Sequence, residues 1–226
     1  MFNFFKKRNI NKKQINKVYS QHLYTGINGV LMRYCHRQLE EKLPFRKYNN
    51  VLEIGAGSQP HFNYLKQKDC NYHILETMRD SSLKKKFAKN LKYKFYNGKI
   101  IPFKNNYFDR IILSHTLEHI IEPEKFLKEI FKKLKKGGVA SVSLPTDPGL
   151  LWRLGRSYNK IYKVKNNLRI SNLEYDYMNS IEHVNSIYNL LNIIRHNYKG
   201  KIVENFLPFK IKHPDINLFY NVHIVK

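Results

Sequence analysis

The segment VLEIGAGSQPHF, residues 51–62, constrains the fold of this chain more than any other stretch. A short apolar run leads into a turn that contains Gly55 and Gly57, and glycines there permit tight turning and the close approach of a ligand to the backbone. The third glycine of the dinucleotide-binding fingerprint is absent, because Pro60 stands in its place. The segment therefore predicts a nucleotide-type ligand at the end of a first strand and disfavours a pyrophosphate-binding NAD site.

From residue 48 onward, short apolar runs alternate with stretches of helical period, as in consecutive βαβ units. The runs predicted as strands are VLEI (51–54), YHIL (72–75), YKFY (93–96), RIILS (110–114) and VASVSL (139–144). Residues 122–138 are predicted as a helix that starts near Pro123 and ends at Gly137–Gly138. Its apolar stripe is Phe126, Leu127, Ile130, Phe131 and Leu134. This alternation predicts an α/β fold, with a mostly parallel sheet and helices on both of its faces.

The two ends of the chain lack the alternation of strands and helices predicted for this central part. Residues 1–48 form a basic leader with apolar residues at helical spacing, namely Leu23, Ile27, Val30, Leu31, Tyr34 and Leu39. Residues 146–180 are aromatic and basic, with weak periodicity. Residues 181–226 predict a helix near 186–195 and two strands, 201–209 and 217–226, which form a C-terminal antiparallel hairpin. We predict one domain over 1–226, with a nucleotide-ligand-binding core at 49–145, an aromatic insert at 146–180 and closing elements at 181–226.

Composition limits the class of protein but leaves the partner open. The chain has 226 residues, 42% of them hydrophobic, with a net charge of +24. The charge fits biased codon usage in an AT-rich genome and, equally, an anionic partner such as nucleic acid, an acidic glycan or a membrane surface. No apolar run reaches the roughly 18 residues of a spanning helix, and the first residues lack a cleavable signal. We therefore predict an unprocessed cytoplasmic protein without a transmembrane segment, for which peripheral membrane contact stays open.

Polar residues follow the second and third predicted strands. Glu76 ends the second strand, where a carboxylate can accept hydrogen bonds from both hydroxyls of a ribose. Asn97 and Gly98 follow the third strand, where a side-chain amide can meet the amino group of adenine, although asparagine is also an ordinary turn residue. Together with the glycine turn, these positions predict a nucleoside site.

The separated motifs VLEIGAGSQP, LET, NGKIIPFKNNYFDRIILSHTLEHI and FLKEIFKKLKKGG closely resemble, in this order, class I S-adenosylmethionine (SAM) dependent methyltransferases of the type 11 kind. The resemblance covers residues 48–145 and implies a Rossmann-like seven-stranded sheet with SAM across the ends of its first strands. It implies that Gly55, Ala56 and Gly57 line the methionine side of SAM, Glu76 binds the ribose, Asn97 and Gly98 face the adenine, Glu53 supports the turn, and Ser114 completes the cofactor-binding set. The chain departs from the family at Asn97, where aspartate is usual, and at Gln59–Pro60, which replace a common glycine.

The acceptor side is marked by the sequence HTLEH, which contains His115, Glu118 and His119. The bare pattern H-x-x-E-H is that of an inverted zinc protease, but it belongs on a long helix, and Pro123 comes too soon after it. Two interpretations remain. In one, His119 caps the turn and Glu118 faces solvent. In the other, the sequence resembles the E-x-x-E-H motif of metal-dependent O-methyltransferases, which complete their site with a histidine some sixty residues later, a position similar to that of His183.

The second interpretation implies a divalent metal held by His115, Glu118, His119 and His183. Imidazole ligands with one carboxylate suit zinc, iron or manganese better than magnesium. Without a metal, His119 or His183 is a candidate general base, and His115 lies beside them as a further catalytic candidate. The sequence leaves both chemistries open.

The sequence favours methyl transfer to oxygen by elimination. The fourth strand lacks the Asn/Asp-Pro-Pro-aromatic motif of amino-methylating enzymes, and no cysteine stands where a C5-pyrimidine methyltransferase needs its nucleophile. The acceptor is predicted to be a small molecule, a glycan or a lipid-linked compound. The alternatives are an RNA methyltransferase of the 2′-O type and a SAM-binding protein without catalysis. Candidates for contact with the acceptor are Trp152, Tyr158, Tyr162, Arg153 and Arg156, and candidates to close over SAM are Tyr19, His22 and Tyr24.

Overall fold

The computed structural model describes residues 24–44, 46–57, 59–77, 91–161 and 171–226, and these build one seven-stranded sheet. The strands are β1 (Asn50–Ile54), β2 (Asn71–Glu76), β3 (Leu91–Phe95), β4 (Phe108–Ser114), β5 (Leu134–Pro145), β6 (Ile202–Leu207) and β7 (Phe219–Val225). Their order across the sheet is β3-β2-β1-β4-β5-β7-β6. Strands β1 to β5 are parallel, whereas β7 runs antiparallel to both β5 and β6. The predicted Rossmann-like α/β fold and its C-terminal antiparallel hairpin are confirmed.

Five α-helices accompany the sheet in the described ranges: α1 (Gly26–Glu41), α2 (Pro123–Lys133), α3 (Leu150–Asn159), α4 (Asn172–Glu182) and α5 (Ile187–Asn197). Pro123 occupies the first turn of α2, where its missing N–H costs no hydrogen bond. The side chains of Ser171 and Ser186 accept hydrogen bonds from backbone N–H groups at the starts of α4 and α5.

Two boundaries differ from the prediction. The helix predicted over 122–138 ends at Lys133, because Leu134 is extended and begins β5. The apolar side chain of Leu134 suits a buried strand as well as a helix, so periodicity alone did not separate the two. The insert 146–180, predicted with weak periodicity, contains the two helices α3 and α4.

Helix α1 buries part of its predicted apolar pattern, with Leu39 buried and Leu31 and Tyr34 partly buried, but it also buries residues outside that pattern. Met32, Cys35 and Leu39 are buried, whereas Ile27 and Val30 are more than half exposed. Polar residues of the buried face form hydrogen bonds with the sheet region instead of contacting solvent. Cys35, for example, lies 3.1 Å from Ser143 Oγ.

The parallel strands end at one edge of the sheet, and the residues that follow them form the site described below. Strands β4 and β5 are buried along most of their length, as expected for central strands covered on both faces. None of the described helices is both long and apolar enough to cross a membrane.

Candidate active site

The glycine turn after β1 combines a packed position with an open one. Gly55 has φ +75°, and a Cβ there would lie 2.6 Å from Oγ1 of Thr116, whose hydroxyl donates to the carbonyl of Ile54. Gly57 has φ +54°, and a Cβ there would meet no atom within 4 Å. Gly55 is therefore required by packing against the loop after β4, while Gly57 leaves open space beside the turn.

Two carboxylates accept backbone hydrogen bonds from this turn and from the segment after it. Oε1 of Glu76, at the end of β2, accepts a hydrogen bond of 2.6 Å from the Gly57 N–H. Glu53 accepts the backbone N–H of His61 with both oxygens, at 2.9 and 3.0 Å, and the hydroxyl of Tyr72 at 2.6 Å. Burial raises the pKa of Glu53 to about 7, although the hydrogen bonds from Tyr72 and His61 oppose the shift. Both oxygens of the Glu53 carboxyl group thus accept hydrogen bonds from the protein itself, and these bonds fix the segment after the turn.

The remaining residues predicted to bind the cofactor lie at the same edge of the sheet. The side chain of Ala56 packs into a buried cluster with Tyr48 and Leu65, so this residue contributes its backbone and not its side chain to the turn. Asn97 is exposed, and its Oδ1 accepts the N–H groups of Lys99 and Ile100 in a tight turn. Gly98 adopts φ +76° in that turn, and Ser114 ends β4 opposite Ser143.

A buried chain of hydrogen bonds connects α1 with the segment after the glycine turn. The hydroxyl of Tyr24 lies 3.2 Å from Nε2 of His36, and the Nδ1 atoms of His36 and His61 are 2.8 Å apart. Nε2 of His61 lies 2.8 Å from Oε1 of Glu40, which also pairs with Arg110 at 2.6 Å. Burial lowers the pKa of both histidines, so both are neutral. His61 then donates a hydrogen bond to Glu40 through Nε2, and its Nδ1 accepts a hydrogen bond from the Nδ1–H of His36.

The acceptor-side sequence HTLEH forms a bend and a short 3₁₀ helix, Leu117–His119, after β4. His115 has φ +51°, and its N–H donates to the carbonyl of Ser143 at 2.9 Å. Its side chain is 17% exposed, its Nε2 is buried without a hydrogen-bond partner, and burial lowers its pKa to about 3. Glu118 is buried, which rules out the interpretation in which it faces solvent. Burial raises the pKa of Glu118 to about 7, and its Oε2 has no partner.

Three hydrogen bonds fix the start of α5 and the loop before it, two of them to this bend and one to the segment after β5. The Asn185 N–H donates to the carbonyl of Glu118 at 3.1 Å, and the Asn185 side chain donates to the carbonyl of Ile120. The Ile187 N–H donates to the carbonyl of Asp147 at 2.7 Å. The loop is therefore fixed both to the end of β4 and to the end of β5.

His119 and His183 lie side by side at this bend, with their ring centroids 5.2 Å apart. Nδ1 of His119 lies 2.5 Å from the carbonyl of Glu182, and Nδ1 of His183 lies 2.7 Å from Oδ2 of Asp147. A carbonyl and a carboxylate accept protons, so each histidine donates through Nδ1 and keeps Nε2 as an acceptor. Burial raises the pKa of Asp147, but hydrogen bonds from His183 and Arg156 outweigh burial and leave it below its ordinary value.

One ligand atom from each of Glu118, His119 and His183 lies within 4.8 Å of the other two. We call these three residues the acceptor centre. The structure thus brings His183 together with Glu118 and His119 of the HTLEH sequence. His115 lies outside this set of three, although its Nδ1 is 3.8 Å from Oε1 of Glu118.

Of the predicted acceptor contacts, Trp152 has its ring beside His183 of the centre. Its ring centroid is 6.2 Å from that of His183 and 6.1 Å from that of Phe219, and its Nε1 is buried without a partner. Arg156, predicted to meet an anionic group, pairs with Asp147 instead. Tyr158 and Arg153 are exposed on α3. Tyr19, His22 and Tyr162 lie outside the described residues.

Sequence reasoning missed Asp147, which positions His183. It stands in the sequence TDPG directly after β5, the one local indication that an acidic residue follows a buried strand at the carboxyl edge. It also missed His36, His61 and Glu40, because nothing in the sequence relates α1 to the segment after the glycine turn.

Comparison with known proteins places this geometry in context. A family model described as a methyltransferase domain matches residues 27–195. The ubiquinone/menaquinone biosynthesis C-methyltransferase UbiE of Yersinia enterocolitica is 35% identical over 91 residues, which are 40% of this chain and 36% of that protein. The chain thus spans about a third of the length of the curated relatives it matches.

Solved structures share the fold at low sequence identity. A SAM-dependent methyltransferase from Thermotoga maritima is 19% identical, with a TM-score of 0.62 over 94% of this chain and 97% of that one. A SAM-dependent methyltransferase from Archaeoglobus fulgidus is 12% identical, with a TM-score of 0.63 over 93% and 99% of the two chains. The plantazolicin methyltransferase BpumL, solved with S-adenosylhomocysteine, has a TM-score of 0.66 at 10% identity over 95% of this chain and 90% of that one.

Proposed function

The chain belongs to the methyltransferase domain family, and from this premise we propose that it is a SAM-dependent methyltransferase that methylates a hydroxyl oxygen of its acceptor. The observation that carries the proposal is the acceptor centre, in which Glu118, His119 and His183 converge at the carboxyl edge of the sheet. Proton removal is what a hydroxyl needs to become a nucleophile, and these three groups are proton acceptors or metal ligands.

The residues around the glycine turn fit SAM. Gly57 leaves open space beside the turn, and the buried Glu76 carboxylate is held at the end of β2, where it accepts the N–H groups of Gly57 and Thr77. We propose that Glu76 binds the ribose hydroxyls and that the backbone of Gly55–Gly57 lies along the methionine part. Glu53 completes the site by fixing the segment after the glycine turn, Asn97 and Gly98 by forming the turn after β3, and Ser114 by its place at the end of β4. When bound, SAM supplies an electrophilic methyl group.

In this proposal His183 takes the acceptor's proton at Nε2. Its Nδ1 proton is directed to the Asp147 carboxylate, which fixes the tautomer and stabilises the imidazolium that forms. Arg156 pairs with the same carboxylate and holds it in place. His119 presents its Nε2 beside Glu118, at 3.8 Å from Oε1, and provides a second acceptor of the proton.

The same three residues fit a divalent cation. Glu118 is a buried carboxylate with an unpartnered oxygen, and both histidines have their second nitrogen fixed by a hydrogen bond, as metal-bound histidines do. The donor set of two imidazoles and one carboxylate suits zinc, iron or manganese. Such an ion, held by Glu118, His119 and His183, would lower the pKa of the acceptor hydroxyl.

The acceptor class is proposed from the surroundings of the acceptor centre. Trp152 offers an aromatic face and a buried indole N–H beside His183, which suits a ring or sugar that carries a hydroxyl. A small molecule, a glycan or a lipid-linked compound fits this description. RNA remains the alternative that the net charge of +24 favours.

A second candidate is methyl transfer to carbon, since the relative that is 35% identical over 91 residues is a quinone-biosynthesis C-methyltransferase. A phenol could lose its proton to His183 and then react at a ring carbon. The two candidates differ in the bond that forms, so the product distinguishes them.

The test is transfer of labelled methyl from SAM to cell extracts divided into polar metabolites, glycans, lipids and RNA. We expect wild-type protein to label one fraction, His183→Ala to lose that labelling, and the exposed α5 variant His196→Ala to retain it. NMR of the product then reports a methyl group on oxygen or on carbon. Labelling that persists in His183→Ala, or a methyl group on carbon, would contradict the proposed O-methylation.

A further inference from the structure

The segment after the glycine turn has little packing of its own. In the described residues between β1 and β2, the chain forms the 3₁₀ helix His61–Tyr64 and no α-helix. In a dinucleotide-binding turn, a third glycine lets a helix pack closely on the first strand, but Gln59–Pro60 stand at that place here. Of the four residues of the 3₁₀ helix, only His61 is buried. Other elements of the fold must therefore fix this segment.

His61 makes the connections that fix it. Its backbone N–H donates to both oxygens of Glu53, at 2.9 and 3.0 Å. Its side chain lies 2.8 Å from Glu40 through Nε2 and 2.8 Å from His36 through Nδ1. Glu53 belongs to β1, whereas Glu40 and His36 belong to α1. His61 thus joins the segment to the first strand through its backbone and to α1 through its side chain.

Glu40 determines the direction of the hydrogen bonds in this chain. Burial raises the pKa of Glu40, but the hydrogen bond from His61 and the charge of Arg110 outweigh burial and lower the pKa to about 2. The ionised carboxylate can only accept, so Nε2 of His61 carries a proton and Nδ1 of His61 accepts one hydrogen bond from His36. Nε2 of His36 is then left to accept the hydroxyl of Tyr24. With both histidines neutral, the chain has a single arrangement of its protons.

The ring of His36 also packs against the 3₁₀ helix. It stacks on Tyr64, with centroids 4.6 Å apart and an angle of 4° between the rings, and its centroid lies 5.0 Å from that of His61. His36 is only 2% exposed, so these contacts are made away from solvent. Helix α1 therefore reaches the segment after the glycine turn through one side chain, which both stacks and donates.

We propose that His36 and His61 are positioning residues for SAM, which keep the glycine turn in the conformation that binds the cofactor. His61 fixes the segment that follows Gly57, and His36 fixes His61. A turn that is already ordered in the free protein loses less conformational entropy when the ligand binds, which increases the affinity. This role rests on the proposed SAM site at Gly55–Gly57, and it is independent of the acceptor and of the chemistry at the acceptor centre.

Two substitutions of His36 separate the hydrogen bond from the packing. His36→Asn keeps an amide N–H near the position of the imidazole Nδ1–H, so it can still donate to His61. His36→Leu keeps an apolar side chain there but leaves Nδ1 of His61 without a donor. The matched control is His223→Leu, which removes another buried histidine, together with its hydrogen bond of 3.0 Å to Ser141.

Hydrogen–deuterium exchange of the free protein measures the turn without SAM. In the peptide that covers residues 53–62, we expect exchange to be about tenfold faster in His36→Leu, and within about threefold of wild type in His36→Asn and His223→Leu. Titration calorimetry with S-adenosylhomocysteine should give the same order, with binding about tenfold weaker in His36→Leu and within about threefold of wild type in the other two.

Denaturant unfolding shows whether each variant is folded. If His36→Leu is not folded, His36→Gln replaces it, because a glutamine amide reaches the position of Nε2 and not that of Nδ1. The expected results for His36→Gln are those given for His36→Leu.

Three results would overturn the positioning role: exchange and affinity of His36→Leu that both match wild type, equal losses of affinity in His36→Leu and His223→Leu, or equal losses in His36→Leu and His36→Asn. Wild type that binds no S-adenosylhomocysteine would overturn the SAM site and the positioning role together. That result is seen before any variant is compared, so failure of the proposed function and failure of the positioning role alone are distinguished.

Discussion

Nδ1 of His183 lies 2.7 Å from Oδ2 of Asp147, across 36 residues of sequence. The carboxylate also pairs with Arg156, so Arg156 fixes the position of the carboxylate that orients His183. This relationship fixes which nitrogen of His183 faces the acceptor, and the predicted effect of breaking it is specific.

Asp147→Asn should lower kcat by about 10- to 100-fold, because an amide supports the wrong tautomer of His183 while the size of the side chain is retained. The affinity for SAM should change little, since Asp147 lies on the acceptor side. Single-turnover methyl transfer and calorimetric SAM titration measure the two effects. Asp69→Asn, in the loop before β2, is the control; equal losses in both variants would mean that Asp147 has no role in orienting His183.

Glu76→Gln should weaken the binding of S-adenosylhomocysteine by roughly 10- to 100-fold, because the variant loses the charged acceptor for the ribose hydroxyls. Burial raises the pKa of Glu76, so the carboxylate becomes protonated at a higher pH than an exposed glutamate. The affinity of wild type should accordingly fall as the pH drops through this raised pKa. Titration calorimetry across pH checks both points, and near-normal affinity of Glu76→Gln would contradict the ribose assignment.

Metal content distinguishes activation of the acceptor by a bound cation from activation by a histidine base at the acceptor centre. If a cation is held there, protein purified without chelator should contain zinc, iron or manganese, and His119→Ala and His183→Ala should lose it. His115→Asn should retain most of it, because His115 lies outside the set of three converging residues. Elemental analysis of the four proteins measures this. Metal-free wild type that stays active with chelator would leave His183 as the base.

Acid should destabilise the protein because its buried histidines bind protons more tightly in the unfolded chain. His223 is the histidine with which we test this effect. Burial, followed by the charge of Arg110, lowers the pKa of His223 to about 3. The unfolded chain takes up this proton near pH 6.5, so stability is complete above that pH and falls as the pH decreases toward the folded-state pKa. Between about pH 7 and pH 5, this one group should lower the free energy of unfolding by about 2 kcal/mol.

Denaturant unfolding at the two pH values, for wild type and His223→Gln, measures the difference. Glu53 and Glu118 have pKa values raised to about 7 and act in the opposite direction, since the folded protein binds their protons more tightly. Because both proteins contain these glutamates, their effect cancels in the comparison. His196→Gln on the exposed side of α5 should follow wild type, and an unchanged pH dependence in His223→Gln would refute the prediction.

Local patterns in the sequence determined the elements of the fold. Short β-branched runs, the capped stretch after Pro123 and the glycine turn at Gly55–Gly57 each depend on residues close together in the chain. They predicted β1 and β2 to within one residue, β3 and β4 to within two, and the terminal hairpin, whereas β5 begins five residues before its predicted start. The same locality explains the errors: Leu134 suits a helix and a buried strand alike, and the apolar residues Ile27 and Val30 of α1 proved to be exposed.

The sequence by itself therefore determined the sheet and the chemistry at the ends of its strands, through the positions of Gly57, Glu76 and HTLEH. Only the tertiary structure decided that Asp147 orients His183, that Glu118 is buried, and that His36 meets His61. Those relationships join distant parts of the chain, and they arise where parallel strands deliver separate loops to one edge of a sheet. Hydrogen-bond direction and burial then set tautomers and pKa values, which no stretch of sequence contains on its own.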